Sequence, residues 1–246
     1  MKAVILGATS GIGRSLARRL AESGSWVFLL GRDSEELAKS ASDLEARHPN
    51  GLRVGFAACD LEAPDGFDEA LNQAEGTMGG FDTVILTAAM FAPQEELAAN
   101  SELAQRLMTV NFTNSVAFCE CARKRLLAHG GGTLVVLSSV AGERGRKPVA
   151  IYGASKAGLS AYLEALDHTF HTSGLRVLDV RPGFVRTRMT ADLTPPPFAG
   201  DPDGVAKDIQ RALEGDTAVL HTPRIWGGIM GVVRRLPRAA MRRANF

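Results

Sequence analysis

Cysteine is scarce in this chain of 246 residues: Cys59, Cys119 and Cys121 are the only three, no two of them form a CxxC pair, and their number is odd. Their spacing excludes a disulfide framework and a cysteine-ligated zinc site, and it points to a reducing, cytoplasmic setting. Long apolar runs are also missing. The longest, residues 225–233, holds nine glycine-diluted residues, against the roughly 20 that a membrane-spanning helix needs. The apolar run at the start is too short for a signal peptide and flows straight into a glycine-rich turn. Net charge is almost absent at +1, yet residues 224–246 carry six arginines and no acid, so the rest of the chain is net negative and the tail is the one polarised segment. There is no internal repeat, low-complexity tract or linker before Thr194-Pro195-Pro196-Pro197, whose prolines cannot continue a helix and read as a surface flap. What remains, 45% hydrophobic and 22% charged, is the composition of one globular domain with a sizeable core.

Within that domain, short β-rich runs at residues 3–6, 26–30, 53–57, 83–87, 133–137 and 176–180 alternate with longer segments of helical period. Asp33-Ser34-Glu35-Glu36 offers a capping-box start to a helix that ends near His48-Pro49, and Gly24, Gly130 and Gly174 stand where helices should stop. Strands apolar on both faces and separated by helices require cover on each side. The expected fold is therefore a single α/β domain, a doubly wound Rossmann-type parallel sheet of about seven strands with helices on both faces. Residues 190–222 would hold a substrate flap and the last strand, and residues 223–246 a basic amphipathic tail.

Directly after the first strand comes Gly7-Ala8-Thr9-Ser10-Gly11-Ile12-Gly13, followed by an amphipathic helical segment. Glycines let backbone N–H groups approach a pyrophosphate, and the helix N-terminus favours the anion. Alone the loop also suits a plain strand-to-helix turn; its place after a strand near the N-terminus favours a dinucleotide site. The second strand ends in Leu30-Gly31-Arg32-Asp33. Arg32 offers a planar cation to an adenosine 2′-phosphate and Ser10 adds a hydroxyl, which favours NADP(H) over NAD(H). Asp33 keeps NAD(H) open, or is simply a helix cap. Asp60-Leu61, after the third strand, suits the adenine edge or an ordinary turn.

Tyr152-Gly153-Ala154-Ser155-Lys156 opens a long helical segment, and its i, i+4 spacing puts phenol and ammonium on one face. A tyrosine with a pKa near 10 is a poor base at neutral pH; an adjacent cation is expected to draw that value down. Ser139, at the end of a strand, is placed to polarise a carbonyl oxygen, because ligand-binding residues gather there in open α/β sheets. Asn111 either holds a water linking Lys156 to solvent or caps a helix.

These residues resemble the short-chain dehydrogenase/reductase family over most of the chain, from Lys2 to about Met189. Gly7, Gly11 and Gly13, then Asn111, Ser139 thirteen residues before Tyr152, Lys156, and Pro182-Gly183 with Val185 and Thr187 occur in the family's order and spacing. The resemblance implies a catalytic tetrad of Asn111, Ser139, Tyr152 and Lys156. It also implies that Lys156 binds the nicotinamide ribose, that Val185 and Thr187 meet the carboxamide, and that Tyr152 donates a proton as hydride reaches a carbonyl carbon. Gly7, Thr9, Ser10, Gly11, Ile12 and Gly13 would meet the phosphates. Two departures stand out. The family's threonine before the first glycine is Leu6, and its Asn-Asn-Ala-Gly reads Leu86-Thr87-Ala88-Ala89. Losing both suggests a repacked cofactor floor, with Thr87, Ala88 and Ala89 still lining it.

A narrower resemblance, carried by residues 138–146, 181–189 and 233–238, is to the decaprenylphosphoryl-2-keto-ribose reductases. It implies a lipid-linked sugar substrate. The tail is open to three readings: a face against anionic lipid, a helix packed over the active site, or an interface in a homodimer or homotetramer. Arg144, Arg146 and Lys147 either greet a phosphate at the pocket mouth or lie in a solvated loop. The leading function is reduction of a keto group, or oxidation of a secondary alcohol, on a small or lipid-like substrate. A sugar-nucleotide epimerase or dehydratase is a rival from another class, opposed by the glycine spacing and the short C-terminal region. A non-catalytic NADP-sensing module is the other, opposed by the intact Ser139, Tyr152 and Lys156.

Overall fold

A computed structural model describes residues 1–47 and 54–244. Its elements run β1 (Lys2–Leu6), α1 (Gly11–Glu22), β2 (Trp26–Gly31), α2 (Ser34–Arg47), β3 (Gly55–Ala58), α3 (Phe67–Met78), β4 (Thr83–Leu86), α4 (Gln94–Ala99), α5 (Ser101–Met108), α6 (Asn114–Ala128), β5 (Gly132–Leu137), α7 (Ala150–Phe170), β6 (Leu175–Pro182), α8 (Pro202–Leu213), β7 (Val219–Thr222), α9 (Ile225–Val233) and α10 (Arg238–Arg243).

Alternation along β1 explains the layers. Val4 and Leu6 join one core, with Leu71 of α3, Phe118 of α6 and Leu163 of α7. Ala3 and Ile5 join the other, with Leu16 of α1, Leu37 of α2 and Ile209 of α8. Successive strand side chains point to opposite faces, so a strand apolar at every position is stable only between two helix layers. Phe118, fully buried, meets Phe67 edge-on at 5.4 Å; burial of such a ring contributes about 2–3 kcal/mol.

All seven strands are parallel, in the order β3-β2-β1-β4-β5-β6-β7. The chain runs outward from β1 in one direction and from β4 in the other. That reversal opens a crevice at the C-terminal ends of β1 and β4, where open α/β sheets bind their ligands. The expected Rossmann-type sheet is what forms. Particular boundaries differ. β4 stops at Leu86 rather than Thr87, because the Thr87 hydroxyl and amide both turn onto the Leu6 carbonyl, at 3.0 and 2.9 Å. β3 begins at Gly55, while Arg53 and the expected helix end at His48-Pro49 lie outside the described residues. Asp33 is a helix cap, its carboxylate accepting from the amides of Glu35 and Glu36 at 3.0 and 3.1 Å. Only half of the capping box is made, since Glu36 turns to Arg14 and Lys39.

Candidate active site

A cleft of about 650 Å³ runs along the C-terminal edge of the sheet, from the glycine turn to the start of α7. Its floor is backbone. Gly7 has φ +94°, and a Cβ at Gly13 would overlap the Gly7 carbonyl and the Thr87 hydroxyl, so the turn holds its shape only without side chains. Ser10 precedes α1 without capping it through its side chain, and no acid lies in the first turn. The first amides of α1 are thus left with their positive end toward the cleft, the donor set that suits a phosphate. Where the sequence departs from the family's pattern at Leu6 and Thr87, the Thr87 hydroxyl donates to the Leu6 carbonyl at 3.0 Å. These features fit a dinucleotide.

At the far end of that floor, Arg32 is 68% exposed and 3.8 Å from Glu62, which Arg106 grips through two bonds of 2.7 Å. The Arg106 guanidinium holds the Glu62 carboxyl below the usual carboxylate range. Asp60 lines the cleft and also closes a turn, accepting from the Glu62 amide at 3.0 Å.

Of the residues expected from sequence to be catalytic or to hold the cofactor, all but Asn111 line this cleft, whereas Asp33, Arg144 and Lys147 do not. Asn111 is fully buried behind it, in a five-residue π-helical turn, Thr109–Thr113, between α5 and α6. Its amide exchanges two 2.7 Å bonds with the backbone of Met90 and reaches Ser155 Oγ at 3.5 Å. It is neither an N-cap nor a cleft residue: it ties the segment after β4 to α6, and π-turns of this kind mark functional sites.

Ser139 follows β5, buried, with its Oγ accepting from the Ala141 amide at 3.1 Å. Tyr152 sits in the first turn of α7, its ring edge-on to Phe91 at 5.3 Å. Lys156, one turn on, is 2% exposed; its Nζ donates to the Leu137 carbonyl at 2.9 Å and lies 6.0 Å from the centre of the Tyr152 ring. This geometry corrects one expectation. Burial pushes the Tyr152 phenol up to about 12, with the Ser139 hydroxyl pulling it partly back. Burial also pulls Lys156 down to about 8, against the attraction of Asp179 and Cys119. Burial is the larger cause and the Ser139 hydroxyl the one that opposes it, so Tyr152 is held as a protonated acid rather than drawn toward neutrality.

Beneath these groups lies a charged network that sequence reading did not find. Asp179 of β6 is 4% exposed and accepts from Ser138 Oγ and, at 2.7 Å, from Arg181 Nε. Glu143 in turn meets Arg181 at 3.8 Å, His221 of β7 at 2.5 Å and Arg234 at 3.4 Å. Their partners are separated by 41 residues for Ser138 and Asp179 and by 78 for Glu143 and His221, so no local pattern announces them. Phe91, Glu62 and Arg106 were also missed, for the same reason.

The tail turns back on its own chain. Met230 and Val233 of α9 pack on Val140, and a Cβ at Gly183 would overlap the Trp226 indole, which lines the cleft. Arg144 and Lys147 donate to the carbonyls of Leu236 and Arg242, each at 2.8 Å. Of the readings open for the tail, packing beside the active site is the observed one. Val232, 65% exposed, and Ile225, 43%, face outward. No helix among the described residues is long and apolar enough to cross a membrane.

Fold and cleft define a class, the Rossmann-fold oxidoreductases. The short chain dehydrogenase family matches residues 1–197, and the chain belongs to that family. An uncharacterized oxidoreductase of Mycobacterium tuberculosis is 34% identical over 98% of this chain and 95% of its own. Carbonyl reductase family member 4 of Xenopus laevis is 26% identical over 92% and 96%. Among solved structures, actinorhodin polyketide ketoreductase with NADPH superposes with a TM-score of 0.79 at 25% identity, over 90% of this chain and 95% of that one.

Proposed function

We propose that this oxidoreductase reduces a keto group with NADPH, Tyr152 acting as the proton donor. The observation that carries the reading is convergence: Ser139, Tyr152 and Lys156 meet in one cleft that continues to the uncapped N-terminus of α1. A reduced nicotinamide bound along that floor supplies the hydride. Everything else is done by the chain. Ser139 and Tyr152 orient the carbonyl oxygen and place donors where negative charge grows. Tyr152, held protonated, gives up its proton as the alkoxide forms, and the buried ammonium of Lys156 stabilises the phenolate left behind. Asn111 holds the wall that carries Met90 and Phe91. The names carbonyl reductase and ketoreductase among the relatives support this direction.

NADP(H) is favoured because Arg32 presents its guanidinium to the cleft beside Ser10 while Arg106 occupies Glu62. The far half of the cleft, with Phe91, Phe184, Leu193 and Trp226, suits a substrate with an apolar body, a lipid-like one included. Tyr152→Phe keeps the ring and removes the proton. Carbonyl-dependent oxidation of NADPH should fall by at least about 10³-fold in kcat, with dinucleotide affinity kept; equal turnover by the two proteins would refute the mechanism.

A further inference from the structure

Three basic residues follow Glu143, and the structure sorts them. Arg144 and Lys147 turn outward and hold the carbonyls of the C-terminal segment. Arg146, in extended backbone between them, lines the cleft that holds Ser139 and Tyr152. Among the described residues its side chain has no hydrogen bond, ion pair or ring contact, and its Nε is shut off from solvent with no partner. Burial pulls the guanidinium below its ordinary pKa.

No acid nearby serves it. Glu143 is taken by Arg181, His221 and Arg234, and the two carboxylates lining the cleft, Asp60 and Glu62, belong to the end near Arg32. The other cations in the lining are accounted for: Lys156 is bonded to Leu137, Arg106 to Glu62, Arg32 lies near Glu62, and Arg188 is solvated. A guanidinium whose Nε is buried and unbonded, with no acid beside it, costs free energy unless a ligand answers it. Its planar fork matches one kind of group, an oxyanion held through two parallel bonds.

Resting on the carbonyl-reductase reading above, we propose that Arg146 binds an oxyanion carried by the substrate itself, so that the natural substrate is an anionic ketone, a keto acid or a keto phosphate with an apolar body. Phe91, Val149, Leu193 and Trp226 line the same cleft and house that body, while Arg146 fixes which end of the molecule meets Tyr152. A neutral ketone leaves the guanidinium unanswered, so specificity arises from the unpaired charge.

The test is binding, which needs no turnover. Octanoate, octyl phosphate and octan-1-ol are titrated by calorimetry into the protein saturated with NADP⁺. At least one anion should bind 30-fold or more tighter than the alcohol. Arg146→Met should bring that anion to the alcohol's affinity while leaving the alcohol within threefold, and Arg146→Lys should restore part of the gap. A preference for octyl phosphate assigns a phosphate, and one for octanoate a carboxylate. Anion affinity unchanged in Arg146→Met, or no preference over octan-1-ol in the wild type, overturns the proposal; the wild-type series decides it even where the variant does not fold. Because Tyr152→Phe reads turnover and this series reads affinity, either reading can fail while the other stands.

Discussion

The two ends of the cleft are built from different materials. Around α1 the site is backbone: glycines at 7, 11 and 13, unclaimed amides and one solvated arginine. Around α7 it is side chain, with a lysine, an aspartate and a glutamate all deeply buried and an arginine left unpaired. Backbone donors cost little to keep in place, because they are held by the helix whether or not a ligand is present. Buried charges must be balanced against each other, and the balance sets the protonation state of every member. The first end should therefore fail through shape and the second through charge.

Shape gives the largest expected effect. Gly13→Val places a side chain on the Gly7 carbonyl and Thr87, so the turn must open. Titration with NADPH should show affinity lost by more than about 100-fold, since a misplaced loop forfeits several phosphate contacts at once. Gly13→Ala should fall between that variant and the wild type. Wild-type affinity in the valine variant would mean that the dinucleotide does not rest on this turn.

Charge gives the next. Asp179→Asn keeps a hydrogen-bond acceptor for Ser138 but removes the counter-charge of Arg181 and the nearby acid of Lys156. Breaking one partner of a buried pair costs about 3–5 kcal/mol. The lower value is expected in denaturant unfolding, because Arg181 keeps Glu143 at 3.8 Å. A sharper readout is the pH profile. On the proposed mechanism reduction needs the Lys156 ammonium, whose pKa is depressed to about 8, so kcat/KM should be level below pH 8 and decline above it. Asp179 raises the lysine value, so its removal should move the break to lower pH. The sign for stability is the reverse. Between about 8 and the ordinary lysine value of 10.5 the folded protein has shed a proton that the unfolded chain keeps, and the contribution of Lys156 to stability rises with pH across that window. An unmoved break in Asp179→Asn would leave Lys156 electrostatically independent of the network.

The same contrast explains what could be read before any coordinates. The order of strands and helices follows from local apolar runs and caps, and the glycine turn, Ser139, Tyr152 and Lys156 announce themselves by spacing. All of them line one cleft. Asn111 has the right spacing but lies behind the wall, because a π-turn rotates it onto Met90. The direction of the Tyr152 shift was misread, since spacing reveals a neighbouring ammonium and not the burial that raises the phenol. Asp179, Glu143 and His221 were invisible, since Ser138 meets Asp179 across 41 residues and Glu143 meets His221 across 78, and nothing local marks an acid that will be buried by strands arriving later in the chain; the inward tail was one of three readings that spacing alone left open.

The smallest effect sharpens the comparison at its most exposed point. Arg32 is 68% exposed with Glu62 at 3.8 Å, so the proposed bond to a 2′-phosphate would be made in water and screened by salt. Arg32→Ala should weaken NADPH by roughly tenfold, about 1.4 kcal/mol for one charge-assisted contact, and NADH by less than twofold. Raising ionic strength should shrink the wild-type preference toward that of the variant, because this contact, unlike those around α7, is open to counterions. Equal losses for the two dinucleotides would show that Arg32 shapes the turn rather than reading the phosphate, and a preference indifferent to salt would place the selective contact deeper in the cleft, at Ser10 or Arg106.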